Sequence, residues 1–393
     1  MIRQLVTRNS VAVTGSIIGL SSLPFGWLTL KPSRLATGTS LSLWEVVGWD
    51  GASAIAILWL VCFALSLSRP GKWRSLILGI AANLILIITF LFAGFAASRI
   101  AETEAAFARV SLSTGIWITI AAAYVLIFAA RQGLHEQRAW RNLISWSGFT
   151  AIVILLLIGW FNNISVVQEF IGREARFRQE LLQHIFLFGG SVTVGALIGI
   201  PLGIWAIRSR RAEKPIFFFA NITQTIPSLA LFGLLIAPLS ALSFAFPVLR
   251  EIGIRGVGPT PAIIALIVYS LLPIIRNTFV SLRQIDPAVI DAGLGMGMSR
   301  PQIFRRLEVP LAAPLVLEGV RIASVQSVGL TAVAALIGAG GLGWFVFQGL
   351  GQAAPDLILL GAIPIIGLAL VVDAVLRTFV RIATPKGLAG GET

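Results

Sequence analysis

The stretch that decides the fold lies between residues 285 and 310 and reads IDPAVIDAGLGMGMSRPQIFRRLEVP. Asp286 followed by Pro287 is a strong helix-start signal, because an aspartate side chain caps the first turn and proline lacks an amide hydrogen that this turn leaves unpaired. The glycines between 295 and 297 predict the end of this helix, and Ser299 predicts a second start. We therefore predict a lobe of two short helices joined by a glycine elbow.

The lobe is a polar island between long apolar blocks. Of the 393 residues, 56% are hydrophobic and only 12% are charged, whereas soluble domains carry about 25% charged residues. A helix needs about 20 mainly apolar residues to cross a hydrocarbon core of about 30 Å. The sequence therefore predicts an all-α polytopic membrane protein with about ten transmembrane helices. The predicted spans are 11–30, 51–68, 75–97, 113–130, 143–161, 184–207, 216–242, 261–282, 313–337 and 357–380.

The first predicted span is the weakest of the ten. It contains Pro24 and three glycines and follows Arg3 and Arg8, a pattern that also suits a secretion signal. No small-residue cleavage site directly follows its apolar run, which favours a span that is retained.

The basic residues indicate the orientation of the chain in the membrane. The chain has 30 Lys and Arg against 17 Asp and Glu, a formal charge of +13. Such a charge would suggest nucleic acid as a partner of a soluble protein, but here the basic residues lie in short runs between apolar blocks. If the N-terminus is inside, 20 of the 30 fall in inner segments, as the positive-inside rule requires. Both termini are therefore predicted to be cytoplasmic, and no nucleic acid is expected as a partner.

Two parts are visible along the chain. Residues 1–164 hold five spans with short linkers, and residues 184–387 hold five spans that contain Gly and Pro and include the 285–310 lobe. Between them, residues 165–183 interleave charged and aromatic side chains, which predicts an outer amphipathic linker helix. Residues 388–393 form a short C-terminal tail.

Motifs for enzymatic chemistry are lacking in the sequence. The single cysteine, Cys62, excludes an intrachain disulfide, and neither His135 nor His184 has neighbours at metal-ligand spacing. Residues 338–343 satisfy the dinucleotide fingerprint G-x-G-x-x-G, but they follow a predicted span rather than a strand, where glycines instead suit a tight turn. The sequence contains no Walker A motif. We therefore expect no catalytic residue, metal or bound cofactor in this chain, and any ATPase must be another polypeptide.

Charged residues inside the spans are few. Glu318 and Arg321 share a helix face, as do Asp373 and Arg377. Each pair can neutralise itself within the membrane, or its members can extend to the cytoplasmic interface. A proton- or sodium-driven secondary transporter would need more titratable groups at mid-membrane, which disfavours that class.

Polar residues on the seventh predicted span, which Pro227 interrupts, are candidates for the wall of a translocation path. The alternative is that they only satisfy backbone groups freed at a proline kink. With the tyrosine of the next span, the candidates are Asn221, Gln224, Thr225, Ser228 and Tyr269.

The lobe is the best candidate for a functional site. Its basic flanks suit a docking element for a cytoplasmic partner, although an ordinary interfacial linker is the alternative. Its spacing of Asp291-Ala292-Gly293, three residues, Gly297, nine residues and then 307–310 resembles the E-A-A, x3, G, x9, I-x-L-P signature of permease subunits of ATP-binding-cassette importers. Asp291 replaces the usual Glu and Gly293 the second Ala. The resemblance implies that the segment couples to an ATPase subunit through Asp291, Ala292, Gly293, Gly297, Arg300, Arg305, Arg306, Glu308 and Pro310.

A closer resemblance is to the glycine betaine, carnitine and choline branch of these permeases, over about residues 176–387. The phrases that carry it are 184–185 (HI), 199–204 (GIPLGI), 224–231 (QTIPSLAL), 272–278 (LPIIRNT), 295–298 (GMGM) and 337–343 (IGAGGLG). The first five spans look like the N-terminal extension of longer members, and the last five like a type I importer core. Importers of amino acids such as methionine share the general signature, so they remain the alternative substrate class.

The resemblance also implies the partners. It predicts a cytoplasmic ATPase dimer that binds ATP and Mg, a second permease that is either an identical copy or a shorter paralogue, and a periplasmic substrate-binding protein. It places the chain in the bacterial inner membrane, in contact with lipid.

Overall fold

The computed structural model describes residues 9–34, 36–69, 71–104 and 107–385. Arg3, Arg8, Lys386 and the tail 388–393, on which part of the orientation and domain predictions rest, lie outside the described residues. The chain divides into two compact units, Met1–Gly172 and Arg173–Thr393. Each unit is mainly helical, so the predicted all-α polytopic class is confirmed, with one small sheet in addition.

The first unit contains six helices and three short strands in its described part. They are α1 (Ser10–Ser21), β1 (Leu28–Lys31), β2 (Thr39–Leu41), α2 (Leu43–Leu67), α3 (Lys72–Thr103), β3 (Arg109–Leu112), α4 (Thr114–Gln132), α5 (Arg138–Leu157) and α6 (Ser165–Ile171). The strands form an antiparallel sheet in the order β2-β1-β3.

The first predicted span, 11–30, is wrong. Helix α1 has only 12 residues, about 18 Å at 1.5 Å each, which falls short of a hydrocarbon core of about 30 Å. It ends at Ser21 because Pro24 cannot continue a helix, and Leu28–Lys31 then pair with both other strands of the sheet. The count of apolar residues does not reveal that the chain turns after Ser21 and that the last three residues of the run belong to a strand.

A buried asparagine ties two helices of the first unit together. The Asn83 amide donates to the carbonyls of Gly79 at 2.8 Å and Ile144 at 3.0 Å, and its oxygen accepts from the N–H of Gly148 at 2.8 Å. All three hydrogen-bond partners are backbone groups of α3 or α5. Both polar atoms of this buried side chain are thus hydrogen-bonded, which removes the cost of burying them among apolar helices.

The second unit contains ten helices in its described part. They are α7 (Glu174–Arg208), α8 (Arg210–Thr225), α9 (Ser228–Ala245), α10 (Pro247–Glu251), α11 (Pro259–Arg283), α12 (Pro287–Gly295), α13 (Arg300–Ile303), α14 (Val309–Ala334), α15 (Gly343–Gly351) and α16 (Pro355–Ala383). A π-helical turn, Phe304–Glu308, joins α13 to α14, and a 3-10 turn, Ala335–Ile337, follows α14.

Nine helical segments among the described residues are long and apolar enough to cross a membrane. They account for the predicted spans other than the first. The seventh, 216–242, is not one helix, because the chain breaks between Thr225 and Ser228, and only Ser228–Ala245 qualifies. The predicted linker 165–183 forms α6 and the first turns of α7, which then runs without a break through the sixth span.

A stripe of glycines lets α7 and α11 approach closely. Gly195, Gly199 and Gly203 are spaced four residues apart and so share one face of α7. A Cβ atom on Gly199 would lie 2.9 Å from the Ile274 side chain, and one on Gly195 would lie 1.9 Å from the Ser270 Oγ. Such small-residue stripes allow the backbone contact that packs membrane helices in the absence of a hydrophobic driving force.

Replacing Gly203 with alanine is expected to lower the melting temperature of the purified protein. The new Cβ would lie 2.7 Å from the Thr278 Cβ and 2.9 Å from the Ile275 carbonyl oxygen, and because a backbone atom cannot move aside, the helices must separate. Overpacking of this kind costs about 1–3 kcal/mol. The matched control is Gly189→Ala in the same helix, where no described atom outside the helix's own local backbone lies within 4 Å of the new Cβ. Equal melting temperatures for the two variants would contradict the close approach.

Candidate functional site

The 285–310 lobe folds as its local signals predict. The Asp286 carboxylate accepts from the N–H of Ala288 at 2.9 Å and starts α12. Helix α12 ends in a Schellman motif, in which the N–H of Gly297 donates to the Leu294 carbonyl at 2.9 Å and the N–H of Met298 donates to the Gly293 carbonyl at 3.0 Å. The predicted pair of short helices with a glycine elbow is thus confirmed.

The elbow needs a glycine at one position in particular. Gly297 has φ +78°, the left-handed conformation that costs a residue with a side chain about 1–2 kcal/mol. After the elbow, the N–H of Ser299 donates to the Gln302 side-chain oxygen at 2.8 Å, which completes a capping box for α13. Both ends of the elbow are therefore fixed by hydrogen bonds within a few residues of the sequence.

The lobe has a packed inner side and an exposed apolar tip. Gly293 is buried, and a Cβ there would lie 2.8 Å from the Leu307 Cδ1, so glycine at this position lets α12 lie close to the π-helical turn. On the outer side, Met296 is 72% exposed and Leu294 is 40% exposed, next to the exposed Asp291 and Ala292. An ordered surface of this kind suits a protein partner.

Arg208, which was not predicted as a site residue, contacts the base of the lobe. Arg208, the last residue of α7, lies 3.4 Å from the Glu308 carboxylate, and its guanidinium lies 4.7 Å from the ring centre of Phe304. Glu308, predicted as an ATPase contact, thus has a partner within its own chain. Arg300, Arg305 and Arg306 are exposed and make no ion pair within the described residues.

A second polar cluster surrounds the break between α8 and α9. Pro273 has no amide hydrogen, so the Tyr269 carbonyl four residues earlier lacks its usual helical donor. The Gln224 side chain donates to that carbonyl at 2.7 Å, and the Tyr269 hydroxyl donates to the Ile226 carbonyl at the break. Gln326 of α14 then donates to the Gln224 side-chain oxygen at 3.3 Å. We call Gln224, Tyr269 and Gln326 the hinge cluster.

The five predicted wall residues therefore separate into two groups. Gln224 and Tyr269 meet in the hinge cluster. Gln224 satisfies the carbonyl that Pro273 leaves without a donor, and Tyr269 satisfies the Ile226 carbonyl at the break, which is the backbone role of the alternative interpretation. Thr225 donates to the Ile222 carbonyl at 2.7 Å in its own helix. Asn221 is exposed and Ser228 is half-buried at the start of α9, and neither takes part in the cluster. Gln326 was not predicted as a wall residue, because only its closeness to Gln224 in the folded chain identifies it as part of the cluster.

The glycine-rich loop at 338–343 contains no strand and is held by two buried side chains. The Glu180 carboxylate accepts from the N–H of Gly341 at 2.6 Å, and the His184 Nδ1 accepts from the N–H of Leu342 at 3.2 Å. The His184 Nε2 therefore carries the proton and donates to the Val328 carbonyl at 3.1 Å. His184 is a fully buried structural residue, and no group of metal-ligating side chains occurs among the residues described.

The two predicted charge pairs form one network. Arg321 lies 2.9 Å from the Glu318 carboxylate, and Arg377 lies 2.7 Å from Asp373. Arg321 also approaches Asp373 at 3.5 Å, which links α14 to α16. The net charge of these four residues is zero, so the network is electrostatically balanced.

Comparison with known proteins finds a different family match for each half of the chain. Residues 199–386 match the family described as binding-protein-dependent transport system inner membrane component, and residues 7–167 match the N-terminal domain of the ABC transporter permease YehY. The chain is 36% identical to the glycine betaine/carnitine/choline transport system permease protein OpuCB of Bacillus subtilis, over 53% of this chain and 88% of the relative. It is 39% identical to the osmoprotectant import permease protein OsmW of Salmonella typhimurium, over 52% of this chain and 91% of the relative.

A solved structure of the MetNI methionine ABC transporter also matches, with 23% identity, 54% of this chain, 98% of that chain and a TM-score of 0.47. The relatives show that the chain belongs to the permeases of binding-protein-dependent ABC importers, in their glycine betaine, carnitine and choline branch. It is a multi-pass transport component, and it carries the additional N-terminal domain that the resemblance led us to expect.

Proposed function

We propose that this chain forms the membrane path of an ATP-driven importer for an osmoprotectant such as glycine betaine, carnitine or choline. The single observation that carries the proposal is the 285–310 lobe, which combines ordered short helices with an exposed apolar tip at Leu294 and Met296. The substrate class is that of the relatives' names.

In this proposal the lobe transmits force from a separate ATPase. Asp291, Ala292 and Gly297 contribute exposed surface to the docking face, together with the exposed Arg300, Arg305 and Arg306. Gly293 and Glu308 contribute from inside the lobe, by close packing and by the ion pair with Arg208. Pro310 lies in the first turn of α14, so movement of the lobe passes directly into a long helix that contains Gln326.

The remaining assignments complete the complex. ATP and Mg bind to the ATPase dimer, a second permease copy or a shorter paralogue pairs with this chain, and a periplasmic protein delivers the substrate. The chain lies in the bacterial inner membrane, with both termini and the lobe on the cytoplasmic side. The hinge cluster lines the path, since it places amide and hydroxyl groups at a helix break among apolar spans.

Reconstitution tests this function. Proteoliposomes containing the chain, its ATPase and its binding protein are expected to accumulate labelled glycine betaine, carnitine or choline only when MgATP reaches the ATPase. Uptake by the chain alone would instead establish a secondary transporter. Uptake of methionine with no uptake of the three osmoprotectants would establish the amino-acid alternative.

A further inference from the structure

A groove in the second unit has the dimensions of a lipid chain. It lies between α7, α8 and α11, has a volume of about 420 Å³, and is lined almost entirely by apolar side chains, among them Trp205, Ile216, Phe219, Val268, Leu271 and Ile275. Along α8 its lining extends from residue 212 to residue 223, about 16 Å at 1.5 Å per residue. That length equals about half of a 30 Å hydrocarbon core, which is the depth of one leaflet.

Cations from all three helices converge at one end of the groove. Helix α7 ends, α8 begins and α11 ends at this same end, from which the chain continues into the 285–310 lobe. Arg208 lies three residues after Trp205, which lines the groove, so it is on the same face of α7. Arg283 lies eight residues after the lining residue Ile275 and is therefore on the groove-facing side of α11. Arg211 begins the row that continues through Pro215 and Phe219 of the lining.

Two of the four charges at this end, those of Arg211 and Lys214, are available to a ligand. Arg208 is engaged with Glu308, and Arg283 lies 5.7 Å from the ring centre of Phe279. Arg211 and Lys214 are exposed and, within the described part of the chain, form no ion pair. Trp205, which lines the groove, is 58% exposed, and such aromatic residues favour the interface between head groups and acyl chains.

We propose that this groove binds one anionic phospholipid, with an acyl chain between α7, α8 and α11 and a phosphate head group against Arg211 and Lys214. Charge complementarity selects the ligand, because a zwitterionic lipid would fill the apolar groove equally well but would bring no net negative charge to these cations. A basic pocket at the end of a groove between membrane helices is a known arrangement for anionic head groups. The site concerns the membrane around the protein and does not depend on which solute is transported.

The test measures lipids retained by the purified full chain. The protein is equilibrated with micelles that contain equal amounts of phosphatidylglycerol and phosphatidylcholine, and the lipids that remain after purification are quantified by mass spectrometry. Wild type is expected to be enriched in phosphatidylglycerol. Arg211→Gln combined with Lys214→Gln is expected to reduce that enrichment at least about fivefold, the effect of a single basic residue near an anionic surface. Val268→Trp is expected to reduce retention of both lipids by filling the groove.

The control is Arg131→Gln combined with Arg138→Gln, which removes two exposed cations of the first unit and is expected to leave the lipid ratio unchanged. Unchanged melting temperatures establish that each variant is folded. Three results would overturn the proposal: no preference in the wild type, an unchanged ratio in the Arg211 and Lys214 variant, or equal loss in the control. If that variant keeps its lipids but loses the ATPase during purification, the cations serve a protein partner instead.

Discussion

Replacing Gly297 with arginine is expected to abolish ATP-driven uptake while the protein remains in the membrane. Apart from the two neighbouring residues, no atom of the described part of the chain lies within 4 Å of the position that a Cβ would take, so the branch point of the new side chain meets no clash and the left-handed backbone costs about 1–2 kcal/mol. The new side chain instead extends from the elbow beside the exposed tip at Leu294 and Met296. In our proposal this surface seats on the ATPase, and a bulky cation there prevents docking.

Uptake and retention of the ATPase during purification are measured together. The matched control is Gly253→Arg, because Gly253 also has a positive φ, +90°, and no described atom within 4 Å of a Cβ. Gly253 precedes α11, whereas Gly297 follows it, so the two positions lie at opposite ends of that helix. The Gly253 variant is expected to retain the ATPase. If the Gly297 variant also retains the ATPase and transports normally, the lobe is not the docking element.

The lobe was predictable from sequence because the forces that shape it are local. The cap at Asp286, the Schellman motif at Gly297 and the capping box at Ser299 each join residues at most five positions apart. Such hydrogen bonds depend on residue type and spacing alone, so they can be read without knowing the tertiary structure.

Contacts between distant segments could not be predicted in this way. Arg208 and Glu308 are 100 positions apart, and nothing near either residue in the sequence marks the other as its partner. The first predicted span failed for a related reason: residues 28–30 were counted as the end of an apolar run, but their pairing with strands at 39–41 and 109–112 decides their conformation. Apolar composition indicates burial, and only the neighbouring segments decide between helix and strand.

The hinge cluster was only partly predictable from the sequence. Pro227 indicated a kink, and Gln224 and Tyr269 were recognised as polar candidates, but two chemically distinct reasons for their presence remained open. The structure shows the role of Pro273. Because this proline has no amide hydrogen, the Tyr269 carbonyl accepts instead from the Gln224 side chain of another helix. Satisfying the backbone and lining a path are compatible roles, because irregular backbone at membrane depth is tolerated where it lines a cavity.

Replacing Gln224 with leucine is therefore expected to reduce uptake about tenfold with the ATPase still bound. Leucine cannot donate to the Tyr269 carbonyl, which Pro273 leaves without another helical donor, and Gln326 loses its acceptor at the same time. An unsatisfied buried polar group costs about 1–3 kcal/mol, and a loss of 1.4 kcal/mol corresponds to a factor of ten. We expect this loss to alter the alignment of α8, α11 and α14 at the break, because the hinge cluster joins these three helices.

Uptake rates and ATPase activity of the reconstituted complex separate this effect from a docking defect. Thr225→Val is the matched control, since the Thr225 hydroxyl donates to the Ile222 carbonyl of its own helix and lies outside the hinge cluster. Near-normal uptake is expected. Gln224→Glu keeps an acceptor for Gln326 but cannot donate to the Tyr269 carbonyl when ionised, so it is expected to resemble the leucine variant. If Gln224→Leu and Thr225→Val transport at the same rate, the hinge cluster has no part in the path and serves only to hold the broken helix in place.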